Sequence, residues 1–161
     1  MVEFKLRHHN RLKFPTKSIW IVEDDLSAQA DFVAWARARF EPQGECQFDF
    51  MASGIGVASS LLHLTPDILI LDHDLPFGNA SDLLQWMKEN GKTNIPVLTA
   101  SGVPENNDHM LKFGTELGIE VHRFMKYEVY QGKADGLILE LLRRGKQESR
   151  TDNGLDQRFQ A

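Results

Sequence analysis

An α/β fold, a doubly wound five-stranded parallel sheet with helices on both faces, is predicted by three observations. Apolar strand-like runs alternate with helical patterns five times along the 161 residues. Several runs are apolar throughout rather than alternating, as strands covered on both faces are. Four of them also end on residues that carry chemistry: Ile19-Trp20-Ile21-Val22 before Glu23-Asp24-Asp25, Ile68-Leu69-Ile70-Leu71 before Asp72, Pro96-Val97-Leu98-Thr99-Ala100 before Ser101-Gly102, and Val121 to Met125 before Lys126. If the strands are parallel, the acidic pair, the lone Asp, the hydroxyl and the Lys converge at one edge of the sheet.

The elements follow in order. Ala28, Phe32, Val33, Trp35, Ala36 and Phe40 recur at three- and four-residue spacing and predict a first helix, ended by Pro42 and Gly44. Glu45 to Met51 alternates polar and apolar, the pattern of a half-exposed edge strand. Ser53-Gly54 opens a helix through Leu61, Leu62 and Leu64, stopped by Pro66. Asn79 or Ser81 caps a third helix with Leu83, Leu84, Trp86 and Met87 inward and Gly91 at its end. Pro104 and Glu105 suit the first turn of a fourth, with Met110, Leu111, Phe113 and Leu117 as its buried stripe and Gly118 closing it. Gln131 to Arg144 supplies the last helix through Leu137, Ile138, Leu141 and Leu142. The organisation is a basic extension over 1–17, one domain over 18–145 and a polar tail over 146–161 expected to be disordered.

Composition narrows the function. No apolar run approaches the roughly 20 residues of a membrane span, and Glu3, Lys5 and Arg7 open the chain where a secretory signal would have an apolar stretch. The single cysteine, Cys46, forms no internal disulfide and reads as a small, half-buried strand residue, compatible with a cytoplasmic location. Net charge is −5, distributed as +4 over 1–17, +2 over 143–161 and −11 between them. An acidic centre between basic arms is unlike a nucleic-acid-binding domain, and the arms read as solvated flanks. Val2, Phe4 and Leu6 could add an edge strand or pack on a partner. Trp20, Trp35 and Trp86 follow strand or helix periodicity and read as core. His8-His9 and His73 lack metal-ligand spacing, and His73 is expected at the mouth of the pocket.

The four strand-end groups suit phosphoryl transfer to a carboxylate. Such a nucleophile works only where incoming charge is neutralised and the donor is held in line. Phosphorylation of Asp72 would place roughly two negative charges beside Glu23 and Asp24, a repulsion of several kcal/mol without a cation. Clustered carboxylates suit Mg²⁺, which takes one or two of them and fills its octahedron with water. Lys126 would neutralise a second phosphoryl oxygen, and the Ser101 hydroxyl with nearby backbone N–H groups would bind the rest. Asp25 suits the positive end of the first helix.

These motifs, in this order, resemble a response-regulator receiver domain of two-component signalling, from Ile19 to about Arg144. IWIVEDD resembles its first strand and metal-binding pair, Glu23 and Asp24. PDILILDHDLP resembles the third strand with its phosphoacceptor, Asp72, and downstream Pro76. The resemblance implies a flavodoxin-like receiver fold, with metal held by Glu23, Asp24, Asp72 and the backbone carbonyl of Asp74. PVLTASG places the switch hydroxyl at Ser101, with Thr99 as competitor, and FMKY places the invariant-type lysine at Lys126. Two positions depart from the pattern. Tyr127 stands where proline usually follows the lysine, so a trans peptide is expected there, since a cis bond without proline costs about 3 kcal/mol. Arg123 stands where the family has its switch aromatic, leaving that role absent or taken by His122 or Phe124.

The resemblance implies a stand-alone phosphoacceptor rather than an enzyme, with at most slow self-dephosphorylation. Its partners would be a histidine kinase or histidine phosphotransfer protein and an unknown downstream protein. No DNA-binding domain or membrane segment is expected, and a homodimer is left open. Two alternatives remain. An unphosphorylated pseudo-receiver would bind a partner through the same fold. A haloacid dehalogenase-type phosphatase would use Asp72-His73-Asp74 as its Asp-x-Asp, although its acidic pair should follow the lysine, where only Glu128, Asp135 and Glu140 are scattered.

Overall fold

The computed structural model describes residues 17–40 and 46–144. In order they form β1 (Lys17–Val22), α1 (Leu26–Arg39), β2 (Cys46–Met51), α2 (Gly54–Leu61), β3 (Ile68–Leu71), α3 (Ala80–Glu89), β4 (Val97–Ser101), α4 (Pro104–Glu116), β5 (Val121–Met125) and α5 (Lys126–Tyr130). Residues 135–144 form a further helix, α6. The basic extension up to residue 16, with Val2, Phe4, Leu6 and His8-His9, lies outside the described residues. So do Pro42, Gly44, Glu45 and the polar tail.

All strand pairs are parallel, in the order β2-β1-β3-β4-β5. This is the expected doubly wound five-stranded sheet, with β2 at one edge. Its inner strands read as unbroken apolar runs because each side of the sheet is covered. On one side Trp20, Val22, Leu69, Leu71 and Val97 pack with Val57, Leu61, Leu84 and Met110 of α2, α3 and α4. On the other, Ile19, Ile21, Ile68, Ile70 and Leu98 pack with Phe32 and Trp35 of α1, Val129 of α5 and Ile138 of α6. Each fully buried aliphatic or aromatic side chain contributes roughly 1.5–3 kcal/mol. Cys46 is half-buried in β2, as read from the sequence, and burial pushes its thiol pKa up to about 12.

Side chains set the helix starts. Asp25 caps α1 by accepting the Ala28 N–H at 2.7 Å, and Ser53 caps α2 by accepting the Gly56 N–H at 3.0 Å. Asn79 and Asp82 form a reciprocal capping box on α3. Two helices differ from expectation. α2 stops at Leu61 rather than running through Leu64, and Leu62 and Leu64 are exposed beyond it. The last helix, expected over 131–144, starts only at residue 135 as α6, after a turn over 131–134. Before that turn a separate short helix, α5, begins at Lys126, where Glu128 accepts the Met125 N–H at 2.9 Å. Gly132, at φ +81°, sits in that turn and supplies a left-handed backbone that other residues seldom adopt. No cis peptide occurs among the described residues, so Tyr127 follows Lys126 through a trans bond. No described helix is long and apolar enough to cross a membrane.

Register brings the strand ends together. Val22 pairs with Leu71, Leu71 with Thr99, and Ser101 with Met125. Glu23 and Asp72 therefore leave the sheet side by side, one residue beyond a paired position, and Ser101 and Lys126 border them. The chain goes from β1 outward to β2 and returns to β3 on the opposite side. In open α/β sheets the crevice beyond the carboxyl ends at such a reversal is the usual ligand site.

The loop after β3 is fixed from below by α2. A Cβ on Gly54 would lie 2.4 Å from the Gly78 carbonyl oxygen, and Ile55 N–H donates to the Phe77 carbonyl at 3.2 Å. Because the obstacle is backbone, Gly54→Ala is expected to lower stability by about 1–3 kcal/mol, measured by urea denaturation. An unchanged midpoint would show that the loop does not press on α2.

Candidate functional site

Carboxylate oxygens of Glu23, Asp24 and Asp72 lie within 4.8 Å of one another. Glu23 is 1% exposed, Asp72 is 8% exposed, and Asp24 is open to solvent. The Glu23 and Asp72 carboxylates are held by local backbone, and a side chain steadies the Glu23 main chain. Asp25 N–H donates to Glu23 Oε1 at 3.0 Å, His73 N–H donates to Asp72 Oδ1 at 2.8 Å, and Gln29 Nε2 donates to the Glu23 carbonyl at 2.5 Å. These contacts use the first turn of α1 and the start of the β3–α3 loop to aim carboxylates into one crevice.

Lys126 closes that crevice from the far side of the sheet. Its Nζ lies 2.6 Å from Glu23 Oε2 and 3.2 Å from Asp72 Oδ2. The shorter contact is a charge pair off the line of a hydrogen bond, so the fully buried Glu23 Oε2 keeps unmet accepting capacity. Burial is the largest influence on all three groups. It raises the pKa of Glu23 and of Asp72 above the usual carboxylate range, against the opposing pull of the Lys126 ammonium. Burial alone would lower Lys126, but the close contact with Glu23 and the charges of Asp72 and Glu23 overcome it and raise its pKa. One ammonium among three carboxylates leaves a deficit of positive charge, and oxygen donors at this separation suit a small hard dication. Such an ion would be held by Glu23, Asp24 and Asp72.

The two candidate hydroxyls separate cleanly. Ser101 lies at the strand end, and its Oγ accepts the Val103 N–H at 3.1 Å while keeping its own proton to donate. Thr99 is fully enclosed two residues earlier, and its Oγ1 has no partner. Asp74 is turned outward, with a side chain 76% exposed that meets His73 Nδ1 at 2.7 Å and Asn106 Nδ2 at 3.5 Å. Its carboxylate is not part of the three-carboxylate group. Arg123 is also directed outward and pairs with Asp108 of α4. His122 pairs with Glu120 at 2.8 Å, and Phe124 packs against the α1 side of the core.

Two of the scattered acids after Lys126 are otherwise engaged. Glu128 caps α5, and Asp135 accepts from Trp35 Nε1 at 2.9 Å and pairs with Arg39. Neither stands with the three carboxylates, so the phosphatase alternative has no acidic pair there among the described residues. Sequence reasoning passed over Asn107 of α4. It is 2% exposed and its side chain holds both the N–H and the carbonyl of Ser101. Its spacing to Met110 and Gly114, the other buried residues of α4, carried the clue.

No protein-family model and no curated protein matches the chain. Solved structures do. The signal receiver domain of a protein from Vibrio parahaemolyticus superposes with a TM-score of 0.66 at 19% identity, over 85% of this chain and 98% of that one. The non-phosphorylated receiver domain of the stress response regulator RcsB from Escherichia coli gives 0.62 at 16% identity, over 81% and 95%. The receiver domain of a sensor histidine kinase from Pseudomonas aeruginosa, with a magnesium ion coordinated in its active-site cleft, gives 0.55 at 18% identity, over 75% and 97%. The chain has the fold of response-regulator receiver domains.

Two outcomes follow from the site. Removing one partner of a buried pair leaves a charge stranded, at about 3 kcal/mol or more, so Lys126→Met is expected to lose about that stability at pH 7. The loss should shrink on acidification, because Glu23 and Asp72, already raised, become neutral. The wild-type contribution of Lys126, whose folded pKa is raised, should be complete below its unfolded value and vanish as pH rises through the folded one. Urea denaturation across pH measures both, and a pH-independent loss contradicts the pairing. Thr99→Val removes a buried hydroxyl without a partner and keeps its shape, so stability should be unchanged or higher by about 1 kcal/mol. A clear loss would mean that Thr99 has a partner.

Proposed function

We propose that the protein is a phosphoacceptor receiver that takes a phosphoryl group on Asp72 from a histidine kinase or histidine phosphotransfer protein and signals through protein–protein contacts. The observation that carries this reading is the joint placement of Glu23, Asp24, Asp72 and Lys126 in one partly open crevice. The receiver fold of the chain and the magnesium ion in the cleft of the Pseudomonas receiver support it.

In the reaction, an Asp72 carboxylate oxygen attacks the phosphorus of a phosphohistidine. The P–O bond forms as the P–N bond breaks, and the electron pair leaves with the donor imidazole, which takes up a proton. Mg²⁺, when bound, supplies Lewis-acid neutralisation of the phosphoryl oxygens. Glu23, Asp24, Asp72 and the backbone carbonyl of Asp74 would hold it. Lys126 exchanges its ion pair with Glu23 for a phosphoryl oxygen. The Ser101 hydroxyl, accepting from Val103, donates its proton to another. Among the described residues, Asp72 oxygens are met by His73 N–H and Lys126, so the acceptor is oriented without being locked.

Intact-mass measurement with Mg²⁺ and a small acyl phosphate or phosphoramidate is expected to show one added phosphoryl group on the wild-type chain. Asp72→Asn should take up none while unfolding at no lower urea concentration, because the ionised Asp72 sits less comfortably in the fold than in water. Continued turnover of a phosphomonoester would favour a hydrolase instead. In a Trp20 fluorescence titration, Asp24→Asn should weaken Mg²⁺ binding by at least the roughly tenfold that losing even an outer-shell partner costs. Wild-type affinity should decline on acidification from above the ordinary carboxylate range, since protons compete at Glu23 and Asp72. Binding indifferent to Asp24 or to pH would argue against the assigned ligands.

A further inference from the structure

Ser101 is held by a residue that no chemical motif singles out. Asn107 of α4 is 2% exposed, and its side-chain amide takes up both backbone groups of Ser101. Oδ1 accepts the Ser101 N–H at 3.0 Å, and Nδ2 donates to the Ser101 carbonyl at 3.2 Å. The same Nδ2 lies 3.4 Å from Sδ of Met125, the residue paired with Ser101 in the sheet. The donor on Ser101 N fixes which way the amide is turned. A buried amide is tolerated only when bonded, and here each of its atoms is.

α4 depends on Ser101 a second time. Its N-cap is Val103, which offers no side-chain hydrogen bond, and the Val103 N–H is met instead by Ser101 Oγ. Thus the hydroxyl of Ser101 holds the start of α4, and α4 in turn holds the backbone of Ser101. Beside this clamp lies an open cleft of about 260 Å³ bordered by Pro104, Asn107, Arg123, Met125 and Tyr127. Arg123 does not fill it, being paired outward with Asp108. The first turns of α4 therefore have room to shift, and Ser101 is the strand-end residue to which their buried bonds tie them.

We propose that Asn107 is the positioning residue that passes the state of the acidic pocket to α4. It rests on the reading of Asp72 as phosphoacceptor. When the Ser101 hydroxyl turns its proton to a phosphoryl oxygen, the strand end moves. Asn107 follows because its two bonds cannot be left unmade in a water-excluded position. The first turns of α4 then change their place against the cleft.

The test uses the full chain with Mg²⁺ and beryllofluoride, a phosphoryl mimic, read by amide hydrogen exchange. In the wild type the amides of Val103 and of 105–107 should change exchange rate by about fivefold or more, the low end of ordinary site-to-site coupling. Asn107→Ala and Asn107→Ser should still be phosphorylated once on Asp72 by a small donor, but their α4 exchange should no longer respond to beryllofluoride. A wild-type-like response in a phosphorylatable Asn107 variant overturns the proposal and leaves the acceptor reading intact. So does a wild-type chain that is phosphorylated yet shows no α4 response. Failure of the wild type to take up any phosphoryl group or mimic removes the acceptor reading and the coupling with it. If both variants fail to fold, the wild-type Ser101 amide decides, because it donates to Asn107 Oδ1. Its exchange should change together with α4, and constancy there overturns the coupling.

Discussion

The ammonium of Lys126, set between Glu23 and Asp72, is the contact on which the architecture of this protein turns. It joins the end of β5 to the ends of β1 and β3 across the intervening β4. Nothing apolar could take its place, because two carboxylates with raised pKa values already occupy the crevice. Its aim is set by the chain around it. β5 hands directly to α5, and Glu128 anchors the Met125 N–H, so Lys126 leaves the sheet at the first residue of a helix rather than on a free loop.

Such a crevice is costly to the fold, and the rest of the sheet offsets it. Burial is the largest influence on both Glu23 and Asp72, and it disfavours their charged forms. The strands that carry them are among the most deeply buried segments of the chain, with Ile68 to Leu71 and Ile19 to Val22 almost wholly enclosed. A packed core on both faces can carry strained electrostatics at its rim, the usual exchange of stability for function at a site. The same argument separates Asp25 from its neighbours. Its carboxylate caps α1 and serves the helix, while Glu23 and Asp24 face the crevice.

Much of this was legible in the sequence, for a physical reason. Strands covered on both faces must be continuously apolar, so Ile68-Leu69-Ile70-Leu71 ends sharply and Asp72 stands out as the first polar residue beyond it. The edge strand declared itself by alternation, and the helix starts by Ser53, Asn79 and Pro104. What escaped was held by tertiary contact. Leu62 and Leu64 continue an apolar pattern but face solvent, because α2 ends before them. α5 is five residues long, too short for any periodicity to show. Asn107 is polar on a helix with many polar residues, and only its register with Met110 and Gly114 places it inside. Thr99 and Ser101 differ in a hydrogen-bond partner that no sequence pattern shows: one hydroxyl accepts the Val103 N–H and the other has none.

The Arg at position 123 makes sense beside Asn107. Position 123 borders the cleft, and its side chain reaches Asp108 of α4. That pair ties the outer face of α4 to β5, while Asn107 ties the inner face to Ser101 and Met125. α4 is thus held at both faces by polar contacts of different strength. The exposed pair is weak, as solvent-screened ion pairs are. The buried amide is strong, because its partners have no water to fall back on. A displacement beginning at the strand end therefore moves α4 through its inner contact and is only lightly resisted by its outer one.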